Sequence, residues 1–171
     1  TPPTGRDATL VLPEDSSRAF APADFGFEDT DAGQSFANVR IDSLPATGSF
    51  RFDGLPVLAG QIIATGELSK LVFSPLADGN GIGYAQLSFS VQDSLGGFAD
   101  ASRIITFDVT PVADAAVMSS GSGAVTEDGA LTTGGTLSIS DADAGQASFS
   151  TQPATAGSFG TFTLDAAGAW T

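Results

Sequence analysis

Carboxylates recur in this chain at matched spacing, and they are the side chains best placed to do chemistry. Asp29-Thr30-Asp31, followed by Ala32-Gly33-Gln34-Ser35-Phe36, returns as Asp141-Ala142-Asp143, followed by Ala144-Gly145-Gln146-Ala147-Ser148-Phe149. Glu14-Asp15 after Pro13 returns as Glu127-Asp128 after Thr126, again roughly 110 residues on, about the length of one small domain. Calcium takes roughly six to eight oxygen ligands from Asp, Glu, Asn and main-chain carbonyls. Carboxylates two apart converge on one such ion when the backbone turns at the residue between them, and Gly33 or Gly145 lets the chain bend sharply just beyond. One Asp-x-Asp alone is also what a turn at a strand end collects for its own hydrogen bonds. Its return at the matching place in a second domain points to a metal role for Asp29 and Asp31, with Glu28 beside them, and for Asp141 and Asp143. Of the second repeated pair, Glu14 and Glu127 are the expected ligands, because Asp15 followed by Ser16 and Ser17 fits turn chemistry. Asp78, Asn80 and the glycines around them read either as a small cation loop or as a glycine-rich hairpin turn, and the turn accounts for them more simply.

Six Lys and Arg stand against twenty Asp and Glu, for a net charge of −14. Such a chain repels nucleic acid and anionic lipid and attracts divalent cations, although a solvated acidic face gives the same composition. No Lys or Arg occurs after Arg103, so the acids of the second copy have no cationic partner of their own. Cysteine and histidine are both absent, which removes disulfides, thiol nucleophiles, most zinc sites and the commonest general base. Paired acids such as Glu28 and Asp93 are the residue types of glycoside cleavage. Acids are spread along the whole chain, however, and no nucleophile–base pair stands out, so an enzyme is not expected.

The elements that must position these acids are strands. Ala85, Leu87, Phe89 and Val91 alternate with Gln86, Ser88, Ser90 and Gln92, and Arg103–Thr110 alternates likewise. Shorter runs fall at Val39–Leu44, Ser49–Asp53, Lys70–Ser74, Thr136–Ser140 and Thr161–Asp165, separated by turn clusters such as Leu76–Gly81 and Ser94–Gly97. No sustained helical period occurs. The thirteen Phe residues, many within the alternating runs, are the expected core between two sheets. The fold class is therefore all-β, a β-sandwich, with one complete domain and an incomplete second one. Residues 1–7 read as a linker, 8–114 as the first domain, 115–123 as a linker and 124–171 as the N-terminal part of the second. The repeat halts inside a β pattern at Trp170-Thr171, so the chain is expected to be a piece of something longer. Its open strand edges then require a completing segment, from another chain or a further part of the same protein.

Several strings, taken together, resemble a known family. Residues 8–114 resemble the cadherin-like tandem repeats of large bacterial surface proteins of the RTX adhesin type. The likeness runs through Leu12-Pro13-Glu14-Asp15, Asp24-Phe25-Gly26-Phe27-Glu28-Asp29-Thr30-Asp31, Leu71-Val72-Phe73-Ser74-Pro75-Leu76, Phe89-Ser90-Val91-Gln92-Asp93 and Val109-Thr110-Pro111-Val112-Ala113-Asp114. Residues 124–171 resemble the opening half of a VCBS repeat, through Val125-Thr126-Glu127-Asp128-Gly129, Leu137-Ser138-Ile139-Ser140-Asp141 and Gly160-Thr161-Phe162-Thr163-Leu164. The resemblance implies a Greek-key sandwich of cadherin/immunoglobulin type, with Ca²⁺ clamped between successive domains. Carried over by position, it implies that Glu14, Asp114, Asp141 and Asp143 share one site. Asp29, Asp31 and Asp93 would face a preceding module, and Glu127 a following one. The stretch Val112-Ala113-Asp114-Ala115 is poorer in acidic and amide groups than the family's linkers, which implies fewer ions.

The expected function is a calcium-binding spacer module of a secreted or cell-surface bacterial adhesin. Its partners would be neighbouring repeats of the same polypeptide, with no nucleic acid and no direct membrane insertion. A β-sandwich module that binds polysaccharide or a protein ligand is the alternative. A single Trp and a single Tyr supply an aromatic sugar platform poorly.

Overall fold

In the computed structural model, which describes residues 1–171, the alternating runs become strands and the polar clusters become turns. Contacts divide the chain into two units, Thr1–Val112 and Ala113–Thr171. The first unit contains β1 (Ala8–Pro13), β2 (Arg18–Ala19), β3 (Phe36–Ser43), β4 (Ser49–Phe52), β5 (Leu55–Pro56), β6 (Ile62–Ala64), β7 (Leu71–Ser74), β8 (Gly81–Asp93) and β9 (Arg103–Thr110). Two short 3-10 turns, Pro22–Phe25 and Thr65–Lys70, are its only helical pieces.

One sheet of this unit has the order β1-β9-β8-β3-β6 and the other β2-β7-β4-β5. Between them lie Phe20, Phe25, Phe73, Phe89 and Phe107, all at 2% exposure or less. Phe73 from one sheet stacks on Phe107 from the other with centroids 3.9 Å apart, and Phe25 meets Phe89 edge-on at 4.9 Å. The unit is an all-β sandwich with an aromatic core, and its strand periodicity follows the sequence pattern: in β9, Ile105, Phe107 and Val109 point inward. β1 pairs with β9 in parallel, Ala8 opposite Ile105 through Pro13 opposite Thr110, and every other named pairing is antiparallel.

Two expectations change in the first unit. Residues 1–7 belong to it, because Thr4 bridges Glu28 and the Arg6 N–H donates to the Phe25 carbonyl at 3.2 Å. Ser90, expected to face water, is 2% exposed. Its hydroxyl donates to Asp42 at 2.5 Å, Ser102 donates to the same carboxylate oxygen at 2.7 Å, and Arg40 lies over the Phe98 ring at 4.7 Å. The segment between β8 and β9 thus folds over the outer face of its own sheet through a polar cluster.

The second unit contains β10 (Val117–Met118), β11 (Gly135–Thr136), β12 (Ile139–Ser140), β13 (Gln152–Ala156), β14 (Thr161–Leu164) and β15 (Ala169–Trp170). β10 pairs with β12, so part of the expected linker 115–123 is strand, and the other four form a sheet of order β11-β15-β14-β13. The expected strand Thr136–Ser140 is two short pieces with different partners, β15 and β10. All buried core side chains of the chain lie between Leu10 and Val109. In the second unit Val117, Val125, Leu131 and Phe159 are exposed, Phe159 fully.

Candidate functional site

Asp29, Asp31 and Asp93 stand at the same end of the first unit because of strand register. Phe36, which opens β3, lies opposite Asp93, which closes β8, so the loop before β3 and the turn after β8 are neighbours. The Asp29–Asp31 turn is held locally. The Asp31 N–H donates to Asp29 Oδ1 at 2.8 Å, the Gln34 N–H to the Asp31 carbonyl at 3.4 Å, and Gly33 takes φ 82°. Gln34 Nε2 donates to Asp31 Oδ2 at 3.2 Å. Asp93 is 4% exposed, and its Oδ1 accepts from the Leu95 and Gly97 N–H groups at 2.8 and 2.9 Å. Gly97 must be glycine here, since a Cβ would come within 2.6 Å of Asp93 Oδ2.

Two oxygens in this loop lack what the others have. Asp29 Oδ2 and Gln34 Oε1 are buried and have no hydrogen-bond partner. The Thr1 ammonium pairs with Asp31 Oδ2, and this pairing raises its affinity for its proton, with further Coulombic contributions from Asp31, Asp29 and Asp93. In return the ammonium holds the Asp31 carboxyl below the usual carboxylate range. Glu28 is engaged elsewhere, in an ion pair with Arg6.

At the other end of the first unit, Glu14 follows β1. It is 2% exposed, its N–H donates to the Thr110 carbonyl at 2.9 Å, and its carboxylate accepts from the Val112 N–H and from Asn80 Nδ2, each at 2.7 Å. The opposite ends follow from β8 and β9 running antiparallel, with Asp93 at the end of one and Glu14 beside the end of the other. Asp15 and Asp78 stand near each other, with carboxylate oxygens within 4.8 Å and the Asp78 N–H donating to Asp15 Oδ1 at 3.3 Å. Asn80, read from sequence as a turn residue, is the neighbour that the local pattern did not assign to Glu14.

The second unit repeats the first turn closely. The Asp143 N–H donates to Asp141 Oδ1 at 2.9 Å, the Gln146 N–H to the Asp143 carbonyl at 3.3 Å, and Gly145 takes φ 83°. The Asp114 N–H donates to Asp143 Oδ2 at 2.7 Å, and the carboxylates of these two residues have oxygens within 4.8 Å. Glu127 stands exposed in the turn that the Thr126 N–H closes onto the Ala130 carbonyl at 3.1 Å. The chain thus carries acidic side chains close enough together to hold a metal ion.

No protein-family model matches the chain, and no curated protein does. Among solved structures it is similar to a chain of the CsuC-CsuE chaperone–tip adhesion subunit pre-assembly complex from the archaic chaperone-usher Csu pili of Acinetobacter baumannii. The identity is 10% and the TM-score 0.41, over 95% of this chain and 80% of that one. A likeness at that level assigns no function. No helix is long and apolar enough to cross a membrane.

Proposed function

We propose that this chain is a calcium-binding structural module of a secreted or cell-surface bacterial protein, a spacer of the RTX adhesin kind rather than an enzyme. The observation that carries the reading is the buried, unpartnered Oδ2 of Asp29, two residues from Asp31 and in the same loop as the equally unpartnered Oε1 of Gln34. A buried oxygen left without a donor costs about 1–3 kcal/mol. A divalent cation supplies the missing partner and neutralises the crowded carboxylates together. Asp29, Asp31 and Asp93 are the proposed ligands at that end, Glu14 belongs to the other end, and Asp114, Asp141 and Asp143 belong to the second unit, with Glu127 in its exposed turn. Because the ion binds the ordered form, its affinity adds to stability by mass action, so millimolar calcium outside a cell stiffens what is loose inside.

Neighbouring repeats of the same polypeptide are the proposed partners. The open apolar side of the second unit and its unpaired edges suit a completing segment from such a repeat or from another chain. Calorimetric titration with Ca²⁺ tests the reading. Saturable binding with defined stoichiometry supports it, and absence of heat together with an unchanged melting curve defeats it. The alternative, a module for polysaccharide or a protein ligand, draws on the groove of the second unit lined by Leu137, Phe162 and Trp170. Glycan-array binding that is indifferent to calcium would favour it instead.

A further inference from the structure

The chain's single Asn-Gly sequence, Asn80-Gly81, joins the last residue of the β7–β8 loop to the first residue of β8. We propose that Asn80 is a site of non-enzymatic modification, converted through a succinimide to aspartate and isoaspartate. The Gly81 backbone nitrogen, having lost its proton to solvent base, attacks the Cγ carbonyl carbon of Asn80. A C–N bond forms, the side-chain nitrogen takes up a proton and leaves as ammonia, and the ring then opens by addition of water at either carbonyl. Nothing is oxidised or reduced.

The surroundings favour this at Asn80 and oppose it at the only other asparagine. Asn80 is exposed and lies outside regular strand, Gly81 takes φ 140°, and a Cβ built on Gly81 would meet nothing within 4 Å. Glycine at position 81 has no side chain of its own to hinder the attack. Asn38 sits within β3 and is followed by the fully buried, β-branched Val39.

The product matters because of what Asn80 touches. Its Nδ2 donates to Oε2 of the buried Glu14 at 2.7 Å. Replacing that donor with a carboxylate oxygen removes the hydrogen bond and sets two like charges face to face beside the buried Glu14. Modification therefore loosens this end of the first unit when no cation is present. The chemistry at Asn80 does not depend on the calcium reading, which the titration tests separately.

The test is peptide mapping by mass spectrometry of the full chain after prolonged incubation at mildly alkaline pH and 37 °C in EGTA, beside a urea-unfolded sample. The expected result is replacement of NH by O in the Asn80 peptide of the folded protein, split into two chromatographic forms, with the Asn38 peptide unchanged. An intact Asn80 in the folded chain, after the unfolded chain has been modified there, overturns the proposal. The Asn80→Asp variant is expected to melt below the parent in EGTA, and Asn80→Gln above Asn80→Asp. Equal melting of Asn80→Asp and the parent overturns the assigned role of the Glu14 contact.

Discussion

Replacing Asp29 by asparagine separates a cation ligand from a merely structural aspartate, because the two roles predict opposite signs. Asp29→Asn preserves shape and the Oδ1 that accepts the Asp31 N–H at 2.8 Å, while removing the charge from the buried Oδ2 that has no donor. Without calcium the variant sheds part of an unsatisfied-group penalty of about 1–3 kcal/mol. Its lost attraction to the exposed Thr1 ammonium is screened by solvent and small. In EGTA, Asp29→Asn should therefore melt at or above the parent, by up to about a few degrees per kcal/mol for a domain of this size. With about 10 mM Ca²⁺ and a dissociation constant of about 0.1–1 mM, as for extracellular modules, the parent gains about 1.4–2.7 kcal/mol from one site. The variant should lose most of the gain that comes from this site. Calorimetric melts of both proteins in EGTA and in calcium provide the measurement. A variant that melts below the parent in EGTA and shows the parent's full calcium increment refutes the reasoning, because the carboxylate would then be a turn-former and nothing more.

Other outcomes follow from the packing. Phe107→Ala removes a ring stacked at 3.9 Å on Phe73 in a fully buried core and should cost about 3–5 kcal/mol in urea unfolding. Gly48→Ala combines φ 84° with a Cβ 2.8 Å from both the Phe73 ring and the Ser74 carbonyl, so it should destabilise by more than about 1 kcal/mol, whereas Gly33→Ala, with open space around it, should cost less. Burial pushes the Asp42 carboxyl up, but hydrogen bonds from Ser90, Arg40 and Ser102, with the Arg40 charge, outweigh it and leave it below the ordinary value. A depressed folded value means the contribution is full above the unfolded pKa of about 4 and disappears as pH falls through the folded one. Acid melts of the parent should show this loss, and those of Asp42→Asn should show less. Amides of residues 113–171, a unit with no buried apolar side chain, should exchange with solvent sooner than those of β3, β8 and β9 when followed by mass spectrometry.

Much of the first unit could be read from local pattern. The alternation in Ala85–Val91 and Arg103–Thr110 placed Phe89, Ile105 and Phe107 on the buried face, and both Asp-x-Asp turns took the bend that their own side-chain hydrogen bonds favour. What escaped was everything set by partners distant in sequence. Periodicity says which face of a strand is apolar but not which strand lies beside it, so the parallel pairing of β1 with β9 was invisible. So was the cover that Asp42 and Ser102 place over Ser90. Asn80 reaches Glu14 across 66 residues, and nothing in Asp78-Gly79-Asn80-Gly81 distinguishes that contact from an ordinary turn. In the second unit the apolar run Thr136–Ser140 overstated one strand that is two short pieces, whereas Thr161–Leu164 formed where the pattern put it.

The parallel ladder of β1 and β9 also fixes how this sandwich meets tension. These are the first and last strands of the first unit and run in the same direction, so a pull on the start of one against the end of the other slides them lengthwise past each other. Six register pairs, Ala8 opposite Ile105 to Pro13 opposite Thr110, then bear load together in shear instead of parting one rung at a time as in a peeled hairpin. The rate of forced opening is set by the barrier to unfolding, which such a clamp raises. Tension applied across these two strands thus meets the ladder before it reaches the core between the sheets.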